Sequence, residues 1–201
     1  MQTEQNRNDE VLILRVLEGR QEDFTLLVER HASVLLHFVG RMIPVREEAE
    51  EVVQDALLAA YQRLHDFDAR RATFAVWLRR IAFNTATHHL RGRRPTFIPL
   101  ECGFDKTCAT ITDAALDRLL SEGGSDLRDL LDRALEQLRA EERTLLHLFY
   151  TDGRPLSEIA FILGLTDEGS SARAVSALTS RLHRIRKKLF VIVKRLRYEN
   201  P

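Results

Sequence analysis

The sequence predicts an all-α fold of two small helical domains joined by a flexible linker. Three observations carry this. Apolar residues recur at three- and four-residue spacing along most of the chain, while the strict alternation of a half-buried strand is absent. Breakers fall at wide intervals, at Pro44, at Pro95 to Pro99, at the "GGS" of 123–125 and at "TDGR" of 151–154. The mixed composition between the second and third of these separates residues 1–94 from residues 126–201, with 95–125 as the linker.

In the first segment, "EVLILRVLEG" reads as a short helix and "DFTLLVERHASVLLHFVGRM" as a longer one that stops near Pro44. "REEAEEVVQDALLAAYQRL" is a third. Its Ala49, Val52, Val53, Ala56, Leu57, Ala60 and Leu64 form the inward face, and Glu47, Glu51, Gln54, Asp55, Leu58 and Gln62 share another. "TFAVWLRRIAFNTATHHLR" is the fourth, with Thr73 at its N-cap. "TDAALDRLL" forms a short helix inside the linker. In the second segment, "DLRDLLDRALEQL" turns Leu127, Leu130, Leu131, Ala134, Leu135 and Leu138 inward, and "AEERTLLHLFY" follows it. Pro155 opens "PLSEIAFILGL" at its first turn. The last helix begins near Ser170 or Ser171, either of which can cap it.

Composition narrows the function classes. The 201 residues are 44% hydrophobic and 30% charged, ordinary values for a folded soluble chain. No apolar run is long enough to cross a bilayer, and the polar opening "MQTEQNRNDE" does not read as a secretory signal, so a cytoplasmic protein without membrane insertion is expected. Cys102 and Cys108 are expected as reduced thiols, because their spacing with no nearby histidine does not make a zinc site. No metal and no cofactor is expected. The formal charge of zero hides a segregated pattern: residues 1–68 carry seven arginines against fourteen acids, and 69–94 carry seven arginines and no acid. Residues 95–168 carry seven bases against fifteen acids, and 169–201 carry nine bases against one. Two basic blocks on amphipathic helices point to a polyanion as partner.

The last helix shows why. Val175, Leu178, Leu182, Ile185 and Leu189 form an apolar stripe that faces a core. Arg173, Ser176, Ser180, Arg184 and Lys187 lie opposite, with Thr179 and His183 at the edge. In the preceding helix, Ala160 stands four residues before Gly164, the spacing of a helix-turn-helix, in which the second helix enters the major groove. Ser, Thr, His and Arg suit base edges, and the outer Arg and Lys suit phosphates.

Two stretches resemble a known family. "AEEVVQDALLAAYQRLHDFDARRATFAVWLRRIAFNTATHHLRGRRP" is similar to the core-binding and promoter-melting segment, region 2, of the extracytoplasmic-function sigma factors of bacterial RNA polymerase, of the RpoE-like type. "LRAEERTLLHLFYTDGRPLSEIAFILGL…SRLHRIRKKL" is similar to their promoter-binding C-terminal domain, region 4. The resemblance implies a sigma factor that binds core polymerase and directs promoter recognition and transcription initiation under anti-sigma control. It implies contacts to the clamp coiled coil of the largest subunit through Glu51, Gln54, Asp55, Leu58 and Gln62, and to the flap of the second-largest subunit. It implies a −10 element site at Phe67, Arg70, Arg71, Thr73, Asn84, His88 and Arg91. It implies a −35 element site at Arg173, Ser176, Thr179, Ser180, Arg181, His183, Arg184 and Lys187, in which Ser180, His183 and Arg184 enter the major groove and Arg173, Arg181 and Lys187 meet phosphates. "TDEGSSARAVSALT" is longer than the family's usual turn, so either the turn is longer or the recognition helix starts earlier.

Two other classes stand beside this reading. A helix-turn-helix regulator acting without polymerase explains the second basic block but not the first. An enzyme such as a nuclease has little support: the common phosphate-loop and zinc-protease motifs are absent, and adjacent His88 and His89 point about 100° apart on a helix. The chain is therefore not expected to be an enzyme.

Overall fold

The computed structural model describes the backbone of residues 2–92, 125–166 and 171–199, and the side chains of 8–91, 129–166 and 171–197. Among the described residues there is no strand. The linker with its short helix, Cys102, Cys108, Ser170 and the Leu127 side chain lie outside them.

The first group contains α1 (Gln2–Leu17), α2 (Asp23–Gly40), α3 (Arg46–Gln62) and α4 (Phe74–Gly92). Small residues set how closely α3 and α4 approach: Ala49, Ala56 and Ala60 on one, and Ala82 and Ala86 on the other, are all buried. Leu27, Leu35, Met42 and Ile43 fill the space toward α2. A charged link fastens α1. The buried Asp9 carboxylate accepts Arg30 Nη1 at 2.9 Å and pairs with His31 Nε2 at 2.8 Å. The His31 ring stacks edge-on against Phe74 at 5.3 Å, so one acidic side chain ties α1 to α2 and α4.

The α3–α4 connection is a short 3₁₀ turn, Leu64–Asp66, then a loop pinned by Phe67. That ring packs edge-on against Phe74 at 5.8 Å and Trp77 at 5.6 Å. Asp68 Oδ1 accepts the Arg70 amide at 3.0 Å, a local turn that shapes the loop without tertiary help.

The second group contains α5 (Ser125–Glu136), α6 (Ala140–Leu146), α7 (Leu156–Ile162) and α8 (Ala172–Glu199). Glu142 reaches back to the Arg139 amide at 2.9 Å and so satisfies a free donor where α6 begins. The helix expected over 140–150 does continue, but its second half widens into a π turn, His147–Thr151. Pro155 stands just before the first helical residue of α7, and its carbonyl accepts the Ile159 amide at 3.1 Å.

The α7–α8 turn has the geometry anticipated from Ala160 and Gly164. Ala160 is fully buried, and Gly164 is left-handed at φ 69°. The Leu165 amide bonds the Ala160 carbonyl at 2.9 Å and the Gly164 amide bonds the Phe161 carbonyl at 3.0 Å, which closes the helix end. Helix α8 starts at Ala172, with Ser171 Oγ 3.4 Å from the Ala174 amide. Of the two possibilities for the long turn, the recognition helix starting earlier is the one observed. The buried stripe of α8 runs through Ala174, Leu178, Leu182, Ile185 and Leu189; Val175, expected in it, is only half-buried.

The two groups touch. Helix α7 packs on α4, whose other side is occupied by α3 and α2.

A Cβ built on Gly164 meets no atom within 4 Å. Gly164→Ala should therefore cost only the left-handed backbone penalty, about 1–2 kcal/mol, and Gly164→Asn less, as read by urea unfolding.

Candidate nucleic-acid and partner interfaces

On α3 the outer face predicted from periodicity is exposed along its length: Glu51, Gln54, Asp55, Leu58 and Gln62 all face solvent. Leu58 is 55% exposed, an isolated apolar side chain among acids and amides. The face is acidic and one helix wide, which suits a basic or amphipathic helical partner.

The loop and α4 divide the residues expected at the −10 element. Asn84, His88 and Arg91 are exposed along one side of α4. Phe67 and Thr73 are half-buried, and Phe67 serves as the loop's anchor. Arg70 is exposed, but its guanidinium is clipped to Asp68, with Nε and Nη2 each 3.0 Å from a carboxylate oxygen. That pairing holds the Asp68 carboxyl below the usual carboxylate range. Arg71 is exposed. His89, by contrast with His88, is half-buried, its Nε2 3.5 Å from Glu48. The loop and α4 thus present a cationic ridge beside a ring cluster whose Phe74 and Trp77 belong to the core.

On α8 the outward residues Arg173, Ser176, Thr179, Ser180, His183 and Arg184 are all exposed. Other cations of this helix serve the fold. Arg181 Nη2 reaches Glu141 at 3.1 Å and Lys188 Nζ reaches Glu142 at 2.8 Å, both on α6. Arg186 lies over the Tyr150 ring at 5.3 Å and bonds its hydroxyl. Lys187 is half-buried. Much of the positive charge of 180–189 therefore stitches α8 to α6, and Arg184 is the most open cation of that stretch. From Arg173 to Arg184 the exposed strip is about 16 Å long at 1.5 Å per residue.

The sequence reading missed a third charged feature, at the joint between the groups. Arg41, just past α2, pairs with Asp152 at 2.9 Å, and Arg154 pairs with Glu158 at 2.9 Å. Arg80 of α4 donates to the Thr166 carbonyl in the α7–α8 turn at 3.0 Å and lies over the Phe161 ring at 4.8 Å. Arg79 is 7% exposed. Burial first, then the neighbouring Arg154, pulls its pKa below the ordinary arginine value, although a guanidinium stays charged at any pH of interest. The signal was present: Arg79 stands in helical register between the buried Val76 and Phe83, a cation where the pattern calls for an apolar residue.

The sigma-70 region 2 family matches residues 27–96, from within α2 to just beyond α4. The ECF RNA polymerase sigma-E factor of Escherichia coli is 35% identical over 162 residues, which cover 77% of this chain and 82% of that protein. The chain belongs to the extracytoplasmic-function sigma factors. The RNA polymerase sigma-H factor of Pseudomonas aeruginosa is 33% identical over 165 residues, with the same coverage of each chain. Among solved structures, CnrH in complex with the cytosolic domain of CnrY has a TM-score of 0.57 and 26% identity, covering 92% of this chain and 97% of CnrH. The sigma factor RpoE of Bartonella quintana, solved with the anti-sigma factor NepR, shares the fold at a TM-score of 0.55 and 23% identity, over 86% and 98% of the two chains. As a sigma factor, this protein binds core RNA polymerase and directs promoter recognition and transcription initiation. None of its described helices is long and apolar enough to cross a membrane.

A pH-dependent stability is expected from the joint. Burial, then Arg41, pulls the His147 pKa below its ordinary value of 6.5. The unfolded chain therefore takes up that proton at a higher pH than the folded chain does. Above the ordinary value both states are neutral and nothing is lost; as pH falls through it toward the lower folded value, stability drops. Between about pH 7 and about pH 5, the wild type should lose stability that His147→Gln retains, read as the difference between their urea midpoints.

Proposed function

We propose that this sigma factor engages polymerase and promoter through separate faces. Residues 1–94 bind core polymerase and the −10 element, residues 126–201 bind the −35 element, and 95–125 link them. The observation that carries the reading is the coexistence, on one chain, of an exposed acidic α3 face bearing Leu58 and an exposed cationic α8 face. A regulator working without polymerase needs only the second.

In this reading Glu51, Gln54, Asp55, Leu58 and Gln62 grip the clamp coiled coil of the largest subunit, and the second group meets the flap of the second-largest. Leu58 is the apolar anchor within a polar rim, the arrangement of an interface whose centre is drier than its edge. Asn84, with the 66–73 loop, holds an unstacked base, while Arg70, Arg71, His88 and Arg91 follow the backbone of the melted strand. Ser180, His183 and Arg184 read the −35 element from the major groove, and Arg173 and Lys187 contact phosphates, while Arg181, expected beside them, is taken up by Glu141. The protein acts in the cytoplasm without catalytic activity of its own. An anti-sigma factor holds it in reserve, a control supported by the structural neighbour RpoE, solved with the anti-sigma factor NepR.

Leu58→Asp with Asp55→Arg should weaken core-polymerase binding by at least about tenfold while the helical signal in circular dichroism is kept; unchanged binding in the folded double variant overturns the α3 assignment. Asn84→Ala should lower open-complex yield and spare core binding. Arg184→Ala should relax preference at one promoter position by about 1–3 kcal/mol, whereas Arg173→Ala should weaken all sequences alike and lower the salt slope by about one unit. The reverse pattern for these two arginines moves base reading to the start of α8.

A further inference from the structure

At the joint, three arginines converge on one cavity. It encloses about 270 Å³ and is lined by His37 of α2, Arg41 just past its end, Arg79 of α4, and Asp152 and Arg154 of the turn before α7, with an apolar wall from α2. Two of the arginines are matched: Arg41 to Asp152 and Arg154 to Glu158. Arg79 is not. It is more than nine-tenths buried, and its Nη1 is enclosed with no hydrogen-bond partner; the Nε of Arg154 is enclosed in the same way. After the two pairs cancel, one positive charge remains, and the two unused N–H donors belong to residues that line this space, which both helical groups share. His37 Nε2 accepts a hydrogen bond from Arg41 Nη2 at 3.1 Å.

We propose that this cavity binds a phosphate group, held by Arg79 and Arg154 with Arg41 alongside. A neutral occupant would leave the Arg79 charge uncompensated, whereas a phosphate supplies negative charge and several acceptor oxygens to donors in the fork geometry of guanidinium. The volume lies below the roughly 300–1,000 Å³ usual for small-molecule pockets, so it suits inorganic phosphate or the end of a phosphomonoester and not a dinucleotide. The walls come from α2 and α4 on one side and from the α6–α7 turn on the other. An occupant therefore favours the docked arrangement of the two groups over a separated one by mass action.

The test uses the full-length protein, with isothermal titration and thermal melting at an ionic strength held constant with chloride. Inorganic phosphate should bind saturably and raise the melting temperature with the logarithm of its concentration. Glycerol 3-phosphate is a second arm: binding equal to that of inorganic phosphate assigns the site to phosphomonoester ends, and binding only of inorganic phosphate assigns it to the free anion. Arg79→Gln and Arg154→Gln should each weaken phosphate binding by at least about tenfold, the weight of a charge-assisted contact. Arg184→Ala with Lys187→Ala should leave it unchanged, which separates the cavity from the cationic face of α8. If Arg79→Gln does not fold, Arg154→Gln decides. Absence of saturable binding, or binding equal to wild type in the folded variants, overturns the proposal.

Discussion

Helix α4 packs Ala82 and Ala86 into the first group and meets α7 of the second, so a single helix of 19 residues is shared by two cores. A helix buried on both sides leaves little free perimeter for polar residues. In α4 the exposed margin carries Asn84, His88 and Arg91, while Arg79 and Arg80 fall on the side that α7 covers. The rest of the molecule accommodates that placement. Asp152 and Glu158 lie nearby, each neutralising an arginine, and the Thr166 carbonyl and the Phe161 ring accept Arg80. Buried charge is costly unless paired, so these pairings constrain the joint.

The charges of the two outer faces have opposite signs for a physical reason. Acidic α3 and cationic α8 belong to separate groups, and each sign of charge suits a different class of partner in the proposed reading, a basic protein surface and a polyanion. Neutrality overall then reflects two strong local fields and not their absence. The same economy appears within α8: Arg181 and Lys188 point inward along the boundary and bond Glu141 and Glu142, while Arg184 remains open. A count of cations on a recognition helix thus overstates what is left to meet DNA.

Much was legible from residue order. The inward face of α3 and its exposed complement follow the three- and four-residue periodicity because a helix with one core-facing side has no other way to bury its apolar residues. The turn at Gly164 was legible from the spacing to Ala160, since one position requires a left-handed backbone and the other tolerates no larger side chain. The family resemblance rested on the VVQ helix and the "WLRRIAFN" stretch, and the relatives and the region 2 match agree with it.

Local sequence by itself determined the helices, their core-facing stripes, the helix-turn-helix and the segregation of charge, because each depends on contacts a few residues apart. Only the tertiary structure decided where α8 begins relative to its exposed strip, which cations of 180–189 are spent on Glu141, Glu142 and Tyr150, and that Arg79 is buried against a second set of helices. Periodicity says which residues share a face; it does not say what covers that face. Arg79 sits 73 residues before Asp152, and nothing in either local stretch encodes that the two line one cavity.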